Sequence, residues 1–191
     1  MSKGLNNVMN MKNRSKQLNM RYTSVDYSLL GLVAVVAGII FYATWFVYEF
    51  GKIIGGPIVA RIISYGLWFI GAPLAATLIR KPFSAFLGET LGALVETLIP
   101  TVGGFTNLIY GVAQGFFSEI AYMIFGYRRW GAVNAVLAGA LAGIPAVMLD
   151  AILFGEIAPP SVMILWLLSA VTSGGLYGFI AYIAVSSIYK R

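Results

Sequence analysis

Two glutamates, at positions 89 and 96, stand inside a long apolar stretch of the sequence. Because they are seven positions apart, both lie on one face of a helix. Within a membrane a carboxylate is energetically expensive and usually serves a function. Such a group can neutralise a cation or accept a hydrogen bond from a ring amine. We therefore predict that Glu89 and Glu96 line a binding site, with a purely structural Glu89 as the alternative.

A second polar face follows later in the chain. Asn107, Tyr110 and Gln114 recur at steps of three and four residues, the spacing of one helix face. Amide side chains both donate and accept hydrogen bonds, which suits a heteroaromatic amine. Glu119 lies more than about 100° around the helix from that face, so we include it as a weaker member of the same site.

Aromatic side chains inside the apolar stretches complete the predicted site. Trp68, Trp166 and Tyr177 can stack on a flat ring or hold a cation over the ring face. The alternative role of the two tryptophans is to anchor the chain at a membrane interface, although Trp68 lies far from the span ends. The inferred ligand is small, flat and polar, and a positive charge would suit it. An anionic substrate fits these residues badly.

The residue types missing from the chain exclude several kinds of chemistry. It has no cysteine and no histidine, so disulfides, thiolate or imidazole metal sites and serine–histidine catalysis are excluded. It also has no Gly-rich loop followed by Lys and Ser or Thr, the signature of an ATP-binding phosphate loop. We expect no enzyme activity, no metal site and no cofactor in this chain.

Composition indicates the elements that hold these residues. Hydrophobic residues make up 59% of the 191 residues and charged residues 10%, against about 25% charged in soluble domains. A bilayer hides this apolar surface, and long apolar runs favour helices over alternating barrel strands. We predict an all-α integral membrane bundle of six transmembrane helices. The predicted spans are 27–49, 56–79, 82–99, 103–126, 131–154 and 160–188.

Basic residues predict the orientation of the bundle. All Lys and Arg residues except Lys52 and Arg61 fall in the segment 1–26 or in three basic pairs at alternate span ends. Cytoplasmic segments carry such an excess, so both termini are predicted in the cytoplasm. The pattern explains the net charge of +6 without nucleic acid. We interpret 1–26 as a flexible basic tail and 27–191 as the six-helix substrate-binding domain.

Small residues form ridges along two predicted spans. Ala34 and Gly38 share one face of span one. Ala135, Gly139 and Gly143 recur every four residues on span five. Such ridges let helices approach closely in lipid. They either pack within the chain or dock another membrane subunit, and periodicity does not choose between these uses.

Three stretches of the chain resemble a known family of membrane proteins. They read GLWFIGAPLAATLIRKP (66–82), GETLGALVE (88–96) and YGVAQGFFSEIAYMIFGYRRW (110–130). Over residues 27–189 the sequence resembles the substrate-binding S component of energy-coupling factor (ECF) vitamin transporters. The resemblance is to the YkoE-like branch, which is associated with thiamine or its hydroxymethylpyrimidine precursor.

This resemblance implies a fold, a role and a set of partners. The implied fold is the six-helix S-component bundle with cytoplasmic termini, in a prokaryotic cell membrane. The subunit would bind thiamine or a related pyrimidine by itself. It would import the ligand together with a transmembrane coupling subunit (T component) and two cytoplasmic ATPases, as part of an ECF-type ABC transporter. The resemblance also suggests that Ala34 and Gly38 dock the coupling subunit.

A self-sufficient secondary transporter or channel for a small cationic or heteroaromatic solute is the alternative function. Inverted repeats and broken helices would favour it, and no clear internal repeat is visible in the sequence. The sequence leaves open which vitamin is bound, whether the ATPases are shared, which helix docks the coupling subunit and what the tail does.

Overall fold

The structure is a computed structural model that describes residues 21–189, and every regular element within them is helical. The elements are α1 (Ser24–Ser64), a short 3-10 segment (Tyr65–Phe69), α2 (Gly71–Ile79), α3 (Ser84–Thr97), α4 (Thr106–Met123), α5 (Ala132–Phe154) and α6 (Pro160–Tyr189). The predicted all-α bundle is confirmed, and each predicted span coincides with helical structure. Most of the predicted basic tail, residues 1–20, lies outside the described residues.

The first helix starts at a capping box. Thr23 Oγ1 accepts a hydrogen bond from the Asp26 N–H (3.3 Å), and Asp26 Oδ2 accepts one from the Thr23 N–H (2.6 Å). Lys81 pairs with the same Asp26 carboxylate at 2.5 Å, which ties the start of α1 to the connection between α2 and α3. Regular structure therefore begins at Ser24, slightly before the domain boundary predicted at 27.

α1 holds the first predicted span and the start of the second, joined across a kink. Gly55 and Gly56 leave helical geometry, and Gly56 has a φ of 71°, a left-handed conformation that favours glycine. Pro57 follows at the start of the second half, where a missing N–H is tolerated. The two halves then face each other, since a Cβ on Gly51 would lie only 2.6 Å from the Ala60 Cα.

Three stretches of the described chain are long and apolar enough to cross a membrane. They are Ser24–Ile79, Ala132–Phe154 and Pro160–Ile188. The first has 56 residues, enough for two crossings of about 20 residues each. With 14 residues, α3 rises only about 21 Å, short of the roughly 30 Å hydrocarbon core. The six helical segments are thus confirmed, and complete crossings by α3 and α4 stay a prediction.

The second predicted span is not one continuous α-helix. It changes to 3-10 geometry at Tyr65–Phe69, and α2 starts afresh at Gly71. Pro73 lies in the first turn of α2, where its missing N–H is tolerated. The restart leaves unpaired backbone N–H groups at a helix start inside the bundle. Inside the bundle these groups need other partners, from the preceding turn or from neighbouring helices.

The small-residue ridge of the fifth predicted span packs inside the chain. Gly139 and Gly143 of α5 lie against α6, where an added Cβ would meet the backbone of Gly174 and Ala170 respectively. Gly178 of α6 lies equally close to the α5 backbone. Small residues on both helices therefore allow a close backbone approach, as expected for packing in lipid.

The ridge of the first span also faces inward. A Cβ on Gly38 would lie 2.6 Å from Val95 Cγ1 and 3.0 Å from the Gly92 carbonyl oxygen, both on α3. Ala34 is buried as well. This packing leaves neither residue on the surface of the described chain. Here α3 packs against Gly38, and docking of a coupling subunit at Ala34 and Gly38 stays a prediction.

The outer surface of the bundle is apolar. Large aliphatic and aromatic side chains point away from the core along most helices, where they would meet solvent in a soluble protein. On α1 and α6 they include Leu32, Ile39, Phe46, Ile164, Leu168 and Leu176. A continuous surface of this kind suits hydrocarbon rather than water.

Candidate ligand-binding site

A cavity of about 220 Å³ opens at one end of the bundle. It is enclosed by the middle of α1, the 3-10 segment, the end of α3, the start of α4 and the end of α5. The lining residues are Phe41, Trp45, Tyr48, Glu49, Lys52, Tyr65, Trp68, Phe69, Ala93, Glu96, Val102, Asn107, Tyr110, Gln114, Ala146, Asp150, Phe154 and Glu156. Such a mixture of aromatic walls and a few polar groups is typical of small-molecule sites.

The structure brings five of the predicted site residues together in this cavity. Trp68 comes from the 3-10 segment, Glu96 from α3, and Asn107, Tyr110 and Gln114 from α4. The helical spacing of the three α4 residues therefore identified a face that points into the cavity. Whether these side chains contact a ligand stays a prediction.

Glu96 lies in the wall of the cavity with most of its surface covered. Only 3% of its surface is exposed, and its Oε1 accepts a hydrogen bond from Trp45 Nε1–H at 2.9 Å. Trp68 packs edge-on against Trp45, with 5.1 Å between ring centroids, and donates its own N–H to the Phe41 carbonyl at 3.1 Å. The carboxylate is therefore held beside two indole rings whose orientations are fixed.

Aromatic rings form a cluster around Trp68. The centroid of Trp68 lies 5.8 Å from that of Tyr48 and 5.9 Å from that of Tyr65. Tyr48 and Tyr65 are 6.0 Å apart. Together with Trp45 these rings define the aromatic cluster of the cavity. Ring faces of this kind attract cations and stack on flat heterocycles.

Asp150 is a functional candidate that the sequence analysis missed. Its carboxylate accepts hydrogen bonds from the hydroxyl groups of Tyr65 (2.6 Å) and Tyr110 (2.8 Å). It thereby connects the 3-10 segment, α4 and α5 at the cavity wall. The rule that singled out Glu89, an acidic residue within an apolar run, applies equally to Asp150 near the end of the fifth span.

Arg61 neutralises two of the cavity carboxylates. It is fully buried, and Nη2 lies 3.5 Å from Asp150 Oδ2 and forms a second ion pair with Glu156. The guanidinium also lies 4.2 Å from the ring centroid of Trp166. Trp166, predicted as a stacking residue for the ligand, therefore stacks on this arginine and does not line the cavity.

The charge balance of the cavity singles out one carboxylate. Four acidic side chains line it: Glu49, Glu96, Asp150 and Glu156. Glu49 pairs with Lys52 at 2.9 Å, and Arg61 pairs with the two on the α5 side. In the part of the chain that the structure describes, no Lys or Arg forms an ion pair with Glu96. Glu96 is therefore the cavity carboxylate without an ion-pair partner among the described residues.

Three further predicted residues also lie outside the cavity. Glu89 is completely buried, and its Oε2 accepts from the Ala72 N–H at 2.8 Å, at the start of α2. Glu119 accepts from two N–H groups at the start of α3, at the opposite end of the bundle. The Tyr177 hydroxyl donates to the Ile63 carbonyl at 2.9 Å. All three bond the backbone.

Side chains that commonly bind metal ions are few in this chain. The chain contains no histidine and no cysteine. Among residues 21–189, no group of three or more acidic side chains is placed to hold a metal ion. The polar groups of the cavity are carboxylates, amides and hydroxyls arranged around aromatic rings, which is chemistry for an organic ligand.

Fold and site together define a multi-pass helical membrane protein with the S-component fold. The chain superposes on a solved structure described as "Crystal structure of an S-component of ECF transporter", with a TM-score of 0.81 and 24% sequence identity. The match covers 89% of this chain and 87% of the other. Residues 25–145 match the family described as "ABC-type cobalt transport system, permease component", and the chain belongs to this family.

One named relative matches most of the chain in sequence. The protein YkoE of Bacillus subtilis (strain 168), named as a proposed HMP/thiamine permease protein, is 29% identical over 160 residues. The match spans 81% of this chain and 80% of YkoE. The resemblance to the YkoE-like S components is thereby confirmed, and the chain is a component of a transport system.

Proposed function

We propose that this chain is the S component of an ECF-type ABC transporter that imports thiamine or its hydroxymethylpyrimidine precursor. The observation that carries the proposal is Glu96, a cavity carboxylate with no basic partner among the described residues, beside the aromatic cluster. The name of the relative YkoE and the S-component fold support the same assignment.

The chemistry of thiamine matches this arrangement. Its thiazolium ring carries a permanent positive charge, which Glu96 can neutralise while the aromatic cluster holds the ring face. Its aminopyrimidine ring both donates and accepts hydrogen bonds, as do the Asn107 and Gln114 amides on the α4 side of the cavity. The hydroxymethylpyrimidine precursor has the amine but no permanent charge, so it would use the hydrogen-bonding groups more than the charge of Glu96.

A transmembrane coupling subunit and two cytoplasmic ATPases complete the proposed transporter. The description of the family as part of an ABC-type transport system supports partners that hydrolyse ATP. The chain itself contains no phosphate-binding Gly-rich loop. A tagged chain purified under mild conditions from its native host should bring the coupling subunit and the ATPases with it.

The proposed orientation places both termini in the cytoplasm, on the evidence of the basic residues alone. The chain has no native cysteine, so single cysteines at positions 81 and 129 are specific probes. We expect an impermeant thiol reagent to label them in inverted vesicles and not in intact cells. Labelling of position 129 in intact cells would overturn this orientation.

The decisive experiment identifies the ligand directly. The chain is purified in detergent, any copurifying small molecule is identified by mass, and thiamine and hydroxymethylpyrimidine are titrated while tryptophan fluorescence is followed. Binding of either compound supports the proposal, with thiamine more sensitive to Glu96→Gln because of its charge. Copurification of an unrelated solute, with no response to either compound, would refute it. Uptake by proteoliposomes containing this chain alone would instead favour a self-sufficient transporter.

A further inference from the structure

The segment from Ile63 to Ala72 contains the break in the second span, from the end of α1 through the 3-10 segment to the start of α2, and it carries two side chains of the aromatic cluster. Tyr65 and Trp68 project from it into the cavity. Because the segment leaves α-helical geometry and α2 restarts at Gly71, several of its backbone groups lack a partner within a helix. Inside a membrane such groups need other partners.

Three side chains from two other helices supply these partners. Glu89 of α3 accepts from the Ala72 N–H at 2.8 Å, and Ser173 of α6 accepts from the Gly66 N–H at 2.9 Å. Tyr177, also on α6, donates its hydroxyl to the Ile63 carbonyl at 2.9 Å. We call Glu89, Ser173 and Tyr177 the brace. The positive end of the α2 dipole further favours a carboxylate at the position of Glu89.

The brace holds the segment in close contact with its neighbours. A Cβ on Gly66 would meet the Ser173 backbone and the Tyr177 ring. A Cβ on Gly71 would lie 3.0 Å from Glu89 Oε2. Both glycines therefore sit directly against brace residues, and the backbone cannot shift toward α6 or α3 at these points.

The position of this segment sets the geometry of the cavity. Trp68 donates its N–H to the Phe41 carbonyl at 3.1 Å, and the Tyr65 hydroxyl donates to Asp150 at 2.6 Å. Both bonds join the segment to a cavity wall, so a change in its backbone would move two members of the aromatic cluster together. A displacement of about 1 Å in the side chains that form a preorganised site is enough to weaken binding.

From this geometry we infer that Glu89, Ser173 and Tyr177 are positioning residues for ligand binding. They do not touch the ligand and instead hold the backbone that presents Tyr65 and Trp68 to it. The inference rests on the proposed function for its link to binding. It also assigns a use to Glu89 that differs from the cation-binding role predicted from its sequence position.

The test compares substitutions that remove a brace bond with matched substitutions that do not. Glu89→Ala leaves the Ala72 N–H without its acceptor and should weaken thiamine binding by about 5- to 100-fold. Glu89→Gln keeps a carbonyl oxygen at that place and should restore affinity to within about threefold of the unchanged protein. Glu119→Ala removes two backbone hydrogen bonds at the start of α3, outside the cavity, and should leave affinity unchanged.

Two milder substitutions, both on α6, keep the inference testable if Glu89→Ala does not fold. Tyr177→Phe removes only the hydroxyl that bonds Ile63. Tyr182→Phe, on the same helix, removes a hydroxyl for which no hydrogen bond is formed among the described residues. We expect Tyr177→Phe, and not Tyr182→Phe, to weaken thiamine binding by several-fold, roughly the effect of one hydrogen bond.

Hydrogen exchange of the backbone amides in 63–72, measured without ligand, separates this inference from the proposed function. Faster exchange there in Glu89→Ala and Tyr177→Phe, but not in the two controls, supports the brace even if the protein binds neither compound. Equal loss of thiamine affinity in Glu89→Gln and Glu89→Ala would overturn it, since that pattern indicates a charge contact with the ligand. Unchanged exchange in 63–72 in both brace variants would overturn it as well.

Discussion

Glu96 and Glu89 occupy the same face of α3, about two helical turns apart, and their surroundings differ completely. Glu96 lies at the cavity end of the helix, beside a tryptophan N–H and the aromatic cluster. Glu89 lies deeper in the bundle, fully buried against the start of α2. One carboxylate lines the cavity, and the other bonds the backbone.

The difference shows what decides the use of a carboxylate inside this bundle. A helix start presents unpaired N–H groups and the positive end of the helix dipole, and a nearby carboxylate satisfies both. Glu119 repeats the arrangement at the start of α3, where it accepts from the N–H groups of Phe83 and Phe86 at 2.6 and 2.9 Å. Glu96 has neither a helix start nor a cation beside it among the described residues, and it accepts a hydrogen bond from the Trp45 N–H; its contact with a ligand stays a prediction.

The strongest way to challenge this comparison is to remove the cation from a paired carboxylate. Arg61→Leu leaves Asp150 and Glu156 without their basic partner, and breaking a buried pair in this way costs about 3–5 kcal/mol. We expect a large drop in thermal stability in detergent. The double substitution Arg61→Leu with Asp150→Asn should recover part of it, and a single variant as stable as the unchanged protein would contradict the pairing.

The second test removes the charge of Glu96. Glu96→Gln nearly conserves shape, and losing a hydrogen bond to a charged group costs about 1.5–3 kcal/mol, which is roughly 10- to 150-fold in thiamine affinity. Thermal stability without ligand should change little, because no cation is left unpaired. Equilibrium titration measures the effect.

Glu49→Gln is the control for that test within the same cavity, since Lys52 already neutralises Glu49. Its effect on thiamine affinity should be clearly smaller. Equal losses in the two variants would show that the charge of the whole cavity, rather than Glu96 alone, attracts the ligand.

A third test asks whether a capping carboxylate far from the cavity affects stability alone. Glu119→Ala leaves the N–H groups of Phe83 and Phe86 unpaired, at a cost of about 1–3 kcal/mol. We expect lower thermal stability with unchanged thiamine affinity, and Glu119→Gln should keep most of the stability. A fall in affinity at Glu119 would show that the two ends of the bundle are coupled.

The smallest effect is expected at the exposed pair beside the cavity. Lys52 and Glu49 retain 44% and 59% side-chain exposure, and such pairs contribute about 0–1 kcal/mol. Lys52→Gln should therefore leave stability nearly unchanged. It frees Glu49, so affinity for thiamine should rise slightly at low salt and return to normal at high salt. A large loss of affinity would place Lys52 in the site itself.

Periodicity predicted which residues share a helix face, and it could not predict what stands opposite them. Asn107, Tyr110 and Gln114 were predicted as one face and do line the cavity together. The seven-residue spacing of Glu89 and Glu96 is equally regular, yet only Glu96 reaches the cavity. Spacing gives the direction of a side chain around its own helix and carries no information about a break in a neighbouring helix.

The sequence also could not predict which residues far apart in the chain pair with each other. Asp150 meets Arg61 and Tyr65 across more than eighty positions of chain. The ridge at Ala34 and Gly38 could pack against any small surface, inside the chain or on a partner. Only the folded bundle shows that α3 packs against Gly38.

The sequence by itself determined the membrane class, the helical segments and the family, because each depends on local composition, apolar run length or direct similarity of residues. The tertiary structure alone decided which carboxylate lines the cavity without a basic partner among the described residues. That choice depends on the restart of α2 after the 3-10 segment, on the position of Arg61, and on which helix start each acidic side chain meets. Backbone groups buried in a membrane must be bonded, and Glu89 and Glu119 are the carboxylates that bond such groups at helix starts.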